Sequence, residues 1–166
     1  MPIVLVRVDD RLIHGQITTM WMGLTAARRI VISSDEVASD PLQKTIVAVT
    51  KPPQVPTDIM ANAQTIETAK SGQWDRDRIL IICKYPTDAL ALVNGDIGIT
   101  EINIGNIGGM QQHKGGNAKQ VSQSVALTPD DVKVLREIQA AGVKMDIRLT
   151  PRDKLEDVAA ILAKLP

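Results

Sequence analysis

Apolar runs rich in β-branched residues recur along the chain, each followed by a segment of helical length and period. Residues 3–8 (IVLVRV), 29–33 (RIVIS), 57–60 (TDIM), 78–83 (RILIIC) and 101–105 (EINIG) read as strands. Residues 119–127 (KQVSQSVAL) hold a sixth candidate and residues 144–149 (KMDIRL) a seventh. The early runs are apolar almost throughout, without polar alternation, as in strands covered on both faces.

The intervening segments carry helix signals. Residues 15–24 (GQITTMWMGL) follow the first strand. In residues 39–49 (SDPLQKTIVAV), Ser39 or Asp40 is placed to cap a helix that opens on Pro41. Residues 61–72 end on Gly72, and residues 85–95 on Gly95, which is placed as a C-cap. Residues 128–142 (TPDDVKVLREIQAAG) carry the clearest pattern. Thr128 caps, Pro129 opens, acids fill the first turn, Val132, Leu135 and Ile138 mark the inner stripe, and Gly142 closes. Residues 152–165 predict a last helix, residues 51–56 (KPPQVP) a stiff connector, and residues 35–40 (DEVASD) a loop with helix-capping acids. This alternation predicts an α/β fold: an open, mainly parallel, doubly wound sheet of about seven strands with helices on both faces, in one domain over residues 1–166.

Composition narrows the function. Nineteen Lys+Arg balance nineteen Asp+Glu, which leaves no electrostatic footprint for nucleic acid or an anionic membrane. Aromatic residues make up 2% and Phe is absent, so the core is aliphatic and base-stacking platforms are not expected. Cys83, the single cysteine, makes no intramolecular disulfide and reads as a small buried residue at a strand end. No apolar run reaches the ~20 residues that cross a bilayer. The first ten residues include an arginine and no cleavage pattern, so a cytoplasmic protein is expected.

Candidate chemistry gathers where the first strand ends, in residues 8–16 (VDDRLIHGQ). In doubly wound sheets ligands sit outside the carboxyl ends of the strands. His14, one of two histidines, falls there, beside a helix start near Gly15 or Gln16 where free amides and the dipole favour an anion. Gly15 permits close backbone approach or an unusual φ. Arg11 supplies a planar fork for phosphoryl oxygens. Asp9 or Asp10 is placed to hold Arg11, or to hydrogen-bond a ring nitrogen of His14 and set its tautomer. A neutral imidazole is a nucleophile, and phosphoryl transfer needs mainly positioning and charge stabilisation, so no metal is called for. Taken alone, the cluster fits a loop histidine tied to a carboxylate equally well. His113, in the glycine-rich residues 108–119, reads as a solvated loop residue. Two histidines and one cysteine make no transition-metal set, and neither a P-loop nor a dinucleotide fingerprint is present. Met20, Trp21 and Met22 read as core or site wall.

Residues 9–16 (DDRLIHGQ) resemble the active-site loop of the IIB components of the mannose/fructose/sorbose class of the sugar phosphotransferase system. The likeness continues in family order through residues 35–45 (DEVASDPLQKT), 51–53 (KPP), 85–95 (YPTDALALVNG), 106–110 (NIGGM), 121–132 (VSQSVALTPDDV) and 141–148 (AGVKMDIR). The resemblance implies a protein-phosphohistidine–sugar phosphotransferase. His14 would accept a phosphoryl group, on Nδ1, from a phosphorylated IIA domain and pass it to a sugar delivered by the membrane IIC and IID subunits. Those subunits would hold the protein at the inner face of the cell membrane. It further implies that Arg11 contacts the phosphoryl group, that Asp10 acts as an orienting residue, and that Ile13, Gly15 and Gln16 complete the phosphate-binding loop without cofactor or metal. The family fold is an open, mainly parallel seven-stranded sheet.

Two places depart from the family pattern. Asn-Ile-Gly occurs twice in residues 103–108, so either the loop there is three residues longer or residues 103–106 are the equivalent. Asp96 stands where the family usually has a second glycine. The alternative to a histidine carrier is a receiver-like regulator with Mg²⁺ on Asp9 and Asp10. That reading also needs an acceptor aspartate at the end of the third strand and a lysine after the fifth. Asp58 stands at the start of its strand, and residues 103–109 contain no lysine.

Overall fold

Parallel pairing of the apolar runs organises the computed structural model, which describes residues 2–108 and 117–166. The strands are β1 (Ile3–Asp9), β2 (Arg29–Ser33), β3 (Thr57–Met60), β4 (Ile79–Cys83), β5 (Glu101–Asn106), β6 (Lys119–Ser122), β7 (Val125–Leu127), β8 (Lys144–Ile147) and β9 (Glu156–Asp157). The helices are α1 (Gly15–Thr25), α2 (Asp35–Ser39), α3 (Pro41–Thr50), α4 (Asn62–Lys70), α5 (Pro86–Asn94), α6 (Pro129–Ala140) and α7 (Val158–Leu162). The main sheet has seven strands in the order β3-β2-β4-β1-β5-β8-β9. All its neighbours are parallel except β9, which runs antiparallel to β8.

The uninterrupted apolar runs are explained by two cores. Ile30, Ile32, Leu80 and Ile82 face one layer with Leu12, Ile13, Val37 and Val47, so α1, α2 and α3 cover that side. Val31, Ile79, Ile81 and Ile104 face the other, with Ala89, Leu92, Leu135, Ile138 and Leu162 from α5, α6 and α7. Every residue of β4 is buried, and each fully buried aliphatic side chain contributes roughly 1.5–3 kcal/mol. The chain leaves β1 toward the α1 side and leaves its neighbour β4 toward the α5 side. A crevice therefore opens at the carboxyl end of β1, the usual ligand position in such sheets.

The structure departs from the pattern at three points and decides between the two candidate caps of α3. Residues 119–127 fold back on themselves as an antiparallel β6–β7 hairpin outside the main sheet, because the polar Ser122, Gln123 and Ser124 interrupt the run. Residues 152–165 are helical only over α7; Glu156 and Asp157 complete the sheet as β9, and Asp157 Oδ1 caps α7 through the Ala159 amide at 3.1 Å. Residues 35–39 are a short helix rather than a loop. The Ser34 hydroxyl caps it, Asp35 and Glu36 occupy its first turn, and Val37 anchors it in the core. Asp40, not Ser39, caps α3, with Oδ1 accepting from the amides of Leu42 (2.9 Å) and Gln43 (3.4 Å).

Gly95 is the C-cap of α5, as expected, but without the left-handed conformation that usually brings glycine there. Gly95 keeps a right-handed φ of −71°, and its place is steric: a Cβ there would meet the Ile66 side chain at 2.6 Å. The left-handed residue is Asp96, with φ of 52°, a conformation that glycine adopts without strain. Asp96 is exposed and donates only its amide, to the Val93 carbonyl at 3.1 Å. Asp96→Gly is therefore expected to stabilise the protein by about 0.5–1 kcal/mol, read as a higher urea midpoint with an unchanged m-value.

Candidate functional site at the carboxyl end of β1

Asp9, the last residue of β1, is 1% exposed. Its Oδ1 accepts from the backbone N–H (3.0 Å) and Nε (3.1 Å) of Arg11. Its Oδ2 accepts from Nη2 of Arg11 (3.0 Å) and Nη2 of Arg7 (2.9 Å). The chain turns sharply here: the Leu12 amide donates to the Asp9 carbonyl at 3.0 Å, and Leu12 takes φ of 61°. That conformation is strained for a bulky side chain, and burial of Leu12 and Ile13 in the α1-side core holds it. With those two turned inward, Arg11 folds back over Asp9 and His14 faces solvent.

His14 is the N-cap of α1. Its amide donates to Thr18 Oγ1 at 3.0 Å, and its carbonyl accepts from the amides of Ile17 (3.0 Å) and Thr18 (3.4 Å). No described residue hydrogen-bonds its ring. Gly15 and Gln16 are the first two residues of the helix, where amides lack an intrahelical partner. The first turn of α1 contains no acid, so the positive end of the dipole is uncompensated by the helix itself. Gly15 has φ of 39°, and a Cβ there would meet nothing within 4 Å; this glycine serves the backbone conformation, not clearance. Beside it runs a groove of about 460 Å³ lined by Gly15, Gln16, Thr19, Met20, Thr50, Lys51, Pro52 and Pro53. The Lys-Pro-Pro connector thus borders the site, which its sequence alone did not indicate. Met20 is site wall, whereas Trp21 is buried.

The two acids have separate duties. Asp9, not Asp10, holds Arg11. Asp10 Oδ1 accepts from Asn106 Nδ2 at 2.5 Å, and its Oδ2 accepts from the Gly108 amide at 2.9 Å. The expectation that Asp10 orients the loop takes a specific form: it ties the loop to the exit of β5 and makes no hydrogen bond to the His14 ring. The first Asn-Ile-Gly lies inside β5 and the second begins where the strand ends. The rest of that loop, His113 included, falls outside the described residues.

Two cations at this edge escaped the sequence reading. Arg7 is buried beneath Asp9; a charged residue inside an apolar strand, two places from Asp9 and so on the same face, was the available signal. Lys84 follows β4, whose Cys83 is in register with Val8. Lys84 is 3% exposed, and its Nζ lies 2.6 Å from Glu36 Oε1 and 5.2 Å from the centre of the Tyr85 ring. The hydrogen bond from Lys84 lowers the Glu36 carboxyl below its ordinary range. Beneath this pair, Ser33, Asn62, Thr65 and Asp88 form a buried hydrogen-bonded chain. Burial pushes Asp88 up, against the lowering effect of its bonds from Asn62 and the Tyr85 amide. Burial, reinforced by Asp88, raises the Cys83 thiol well above its ordinary value, so Cys83 is an inert part of the strand.

The receiver-like alternative finds no footing. The carboxylates of Asp9 and Asp10 are occupied by protein donors, and Asp58 is paired with Arg29 at 2.6 Å. Among the described residues no group of three or more His, Cys, Asp or Glu is gathered as a metal site.

Fold and site together define a doubly wound α/β protein that sets a solvent-facing histidine at an anion-receptive helix N-terminus. Residues 3–165 match the family model of the PTS system sorbose subfamily IIB component, and the chain belongs to that family. It is 37% identical over 160 residues to the sorbose-specific EIIB component of Lacticaseibacillus casei, covering 96% of this chain and 94% of that protein. It is 32% identical over 165 residues to the mannose-specific EIIAB component of Escherichia coli strain K12, covering 99% of this chain and 50% of that longer protein. The crystal structure of the IIBSor domain of the sorbose permease from Klebsiella pneumoniae superimposes with a TM-score of 0.90 at 29% identity, covering 100% of this chain and 99% of that one. The chain is thus a transferase, the phosphoacceptor subunit of a sugar phosphotransferase system. Its family works in general with IIA and IIC/IID partners. Among the described residues no helix is long and apolar enough to cross a membrane.

Asp10→Ala is expected to leave the Asn106 amide group and the Gly108 N–H without their acceptor, at a cost of about 1–3 kcal/mol. Urea unfolding measures the loss, and faster hydrogen exchange at Gly108 locates it; an unchanged exchange rate there would show that Asp10 does not tie the loop.

Proposed function

We propose that His14 carries the phosphoryl group and that Arg11 stabilises it. The supporting observation is the exposed His14 at the N-cap of α1, three residues along the same loop from Arg11, whose guanidinium is held by Asp9. A neutral ring nitrogen of His14 attacks the phosphorus of a phosphohistidine on a IIA domain. The bond to His14 forms as the bond to the donor breaks, and that electron pair returns to the donor's imidazole. The amides of Gly15 and Gln16, with Ile13 fixing the backbone before them, and the Arg11 fork receive the phosphoryl oxygens. In the second half-reaction the oxygen of a sugar hydroxyl presented by IIC and IID bonds the phosphorus as the bond to His14 breaks, the hydroxyl gives up its proton, and the electron pair returns His14 to its neutral form. A IIA partner is supported by the name of the E. coli relative, which joins A and B in one chain. The relatives' names include both sorbose and mannose, so the acceptor is a sugar of this general kind. In this scheme residues 1–166 act as one IIB domain at the inner face of the cell membrane.

His14→Ala is expected to abolish labelling from phosphorylated IIA while the fold persists, since an exposed loop side chain has little packing duty. The label on the parent should be acid-labile and base-stable, as for phosphohistidine; an acyl phosphate is labile to both. Labelling of the alanine variant, or label at His113, would overturn the assignment.

Arg11→Ala should slow single-turnover transfer about a hundredfold, the usual scale for one charge-assisted contact in a transition state. Arg11→Lys should slow it less, because it keeps the charge and loses only the planar geometry. In both variants His14 should remain the labelled residue.

A further inference from the structure

Asp9 is held by two guanidiniums, and only one belongs to the phosphoryl loop. Arg11 is 15% exposed in its side chain, and among described residues its guanidinium bonds Asp9 alone. Arg7 is fixed from every side. Its Nη2 donates to Asp9 and to the Leu149 carbonyl (3.0 Å); its Nη1 donates to the Arg148 carbonyl (3.1 Å) and to Asn103 Oδ1. The Trp21 ring packs against it with the centroid 5.3 Å from Cζ, while the indole N–H is anchored on the Leu149 carbonyl at 3.1 Å. Gly105 leaves the room: a Cβ there would overlap the Arg7 guanidinium.

We propose that Arg7 is a positioning residue for phosphoryl transfer, the standing counter-charge of Asp9 that lets Arg11 swing from Asp9 onto the phosphoryl group. This rests on the roles given above to His14 and Arg11. A buried carboxylate left without a cation is strongly unfavourable. If Arg11 were the only partner of Asp9, its departure toward the phosphoryl group would strand that charge. With Arg7 in place Asp9 stays paired in both arrangements of the loop, so the attraction of the phosphoryl group for Arg11 is not cancelled at Asp9. The three side chains also carry one surplus positive charge, which meets the incoming anion.

The test is single-turnover transfer from phosphorylated IIA at varied IIA concentration, which separates donor affinity from maximal rate. The set is the parent, Arg11→Ala, Arg7→Met, Arg7→Lys, Gly105→Ala and the double variant Arg7→Met/Asp9→Asn, each checked for folding by circular dichroism. Arg7→Met is expected to lower the maximal rate by about tenfold or more with donor affinity unchanged. Arg7→Lys should fall between it and the parent. Gly105→Ala keeps every charge, displaces the guanidinium, and should slow transfer in the same sense. In the double variant a neutral residue at position 9 needs no counter-charge, so most of the lost rate returns. A residue that only packs would not be rescued in this way. If Arg7→Met does not fold, Arg7→Lys and Gly105→Ala decide the matter. Parent-like maximal rates in those two, with Arg11→Ala slow, overturn the role of Arg7 and leave that of Arg11 standing. A parent-like rate in Arg11→Ala overturns the reading beneath it.

Discussion

A carboxylate buried at the end of β1 must be satisfied completely, and much of the site follows from how Asp9 meets that demand. Four donors converge on its two oxygens. Three of them come from Arg11, so the chain has to reverse within three residues, which drives Leu12 into the left-handed region. That reversal sends Leu12 and Ile13 into the core and leaves His14 outward at the first turn of α1. The strain of the turn is offset by apolar burial, a non-directional force, while the hydrogen bonds at Asp9 set the angle.

The surrounding rim keeps its charges paired beneath the surface and its helix N-terminus free. Lys84 is occupied by Glu36, Asp10 by Asn106 and Gly108, and Arg7 by Asp9 and three carbonyl-type oxygens. Among the described residues, what remains accessible at the end of β1 is a histidine, the opening amides of α1, and a guanidinium held by a single partner. This is a surface poor in fixed competitors for a doubly charged group. On the proposed function, the neutral balance of the whole chain conceals a local preference for anions, made by backbone dipoles and one arginine rather than by net charge.

Asp96 and Gly95 illustrate how a local rule is redistributed in three dimensions. A glycine after a helix usually supplies the left-handed residue; here Gly95 is needed because α4 passes too close for a Cβ, and the left-handed turn moves to an aspartate one residue on. The same backbone path is kept at a small conformational cost.

The sequence by itself determined the six parallel strands, the two-sided burial of the early ones, the cap at Thr128, a cap at Ser39 or Asp40, and the position of His14 beside a helix start. Each of these is a short-range property: a run of β-branched residues, a proline after a capping side chain, a glycine between strand and helix. Only the tertiary structure decided which acid holds Arg11, because Asp9 and Asp10 are equivalent by spacing and are told apart by where β5 delivers Asn106 and Gly108. Only the fold brought Arg7, Trp21, Asn103 and the carbonyls of Arg148 and Leu149 together, across separations of up to 142 residues. Only pairing along β8 turned Glu156 and Asp157 from a helical pattern into an edge strand. A charged residue within an apolar run states that a partner must exist, since a buried charge cannot go unpaired; which partner it is depends on neighbours that sequence order does not contain.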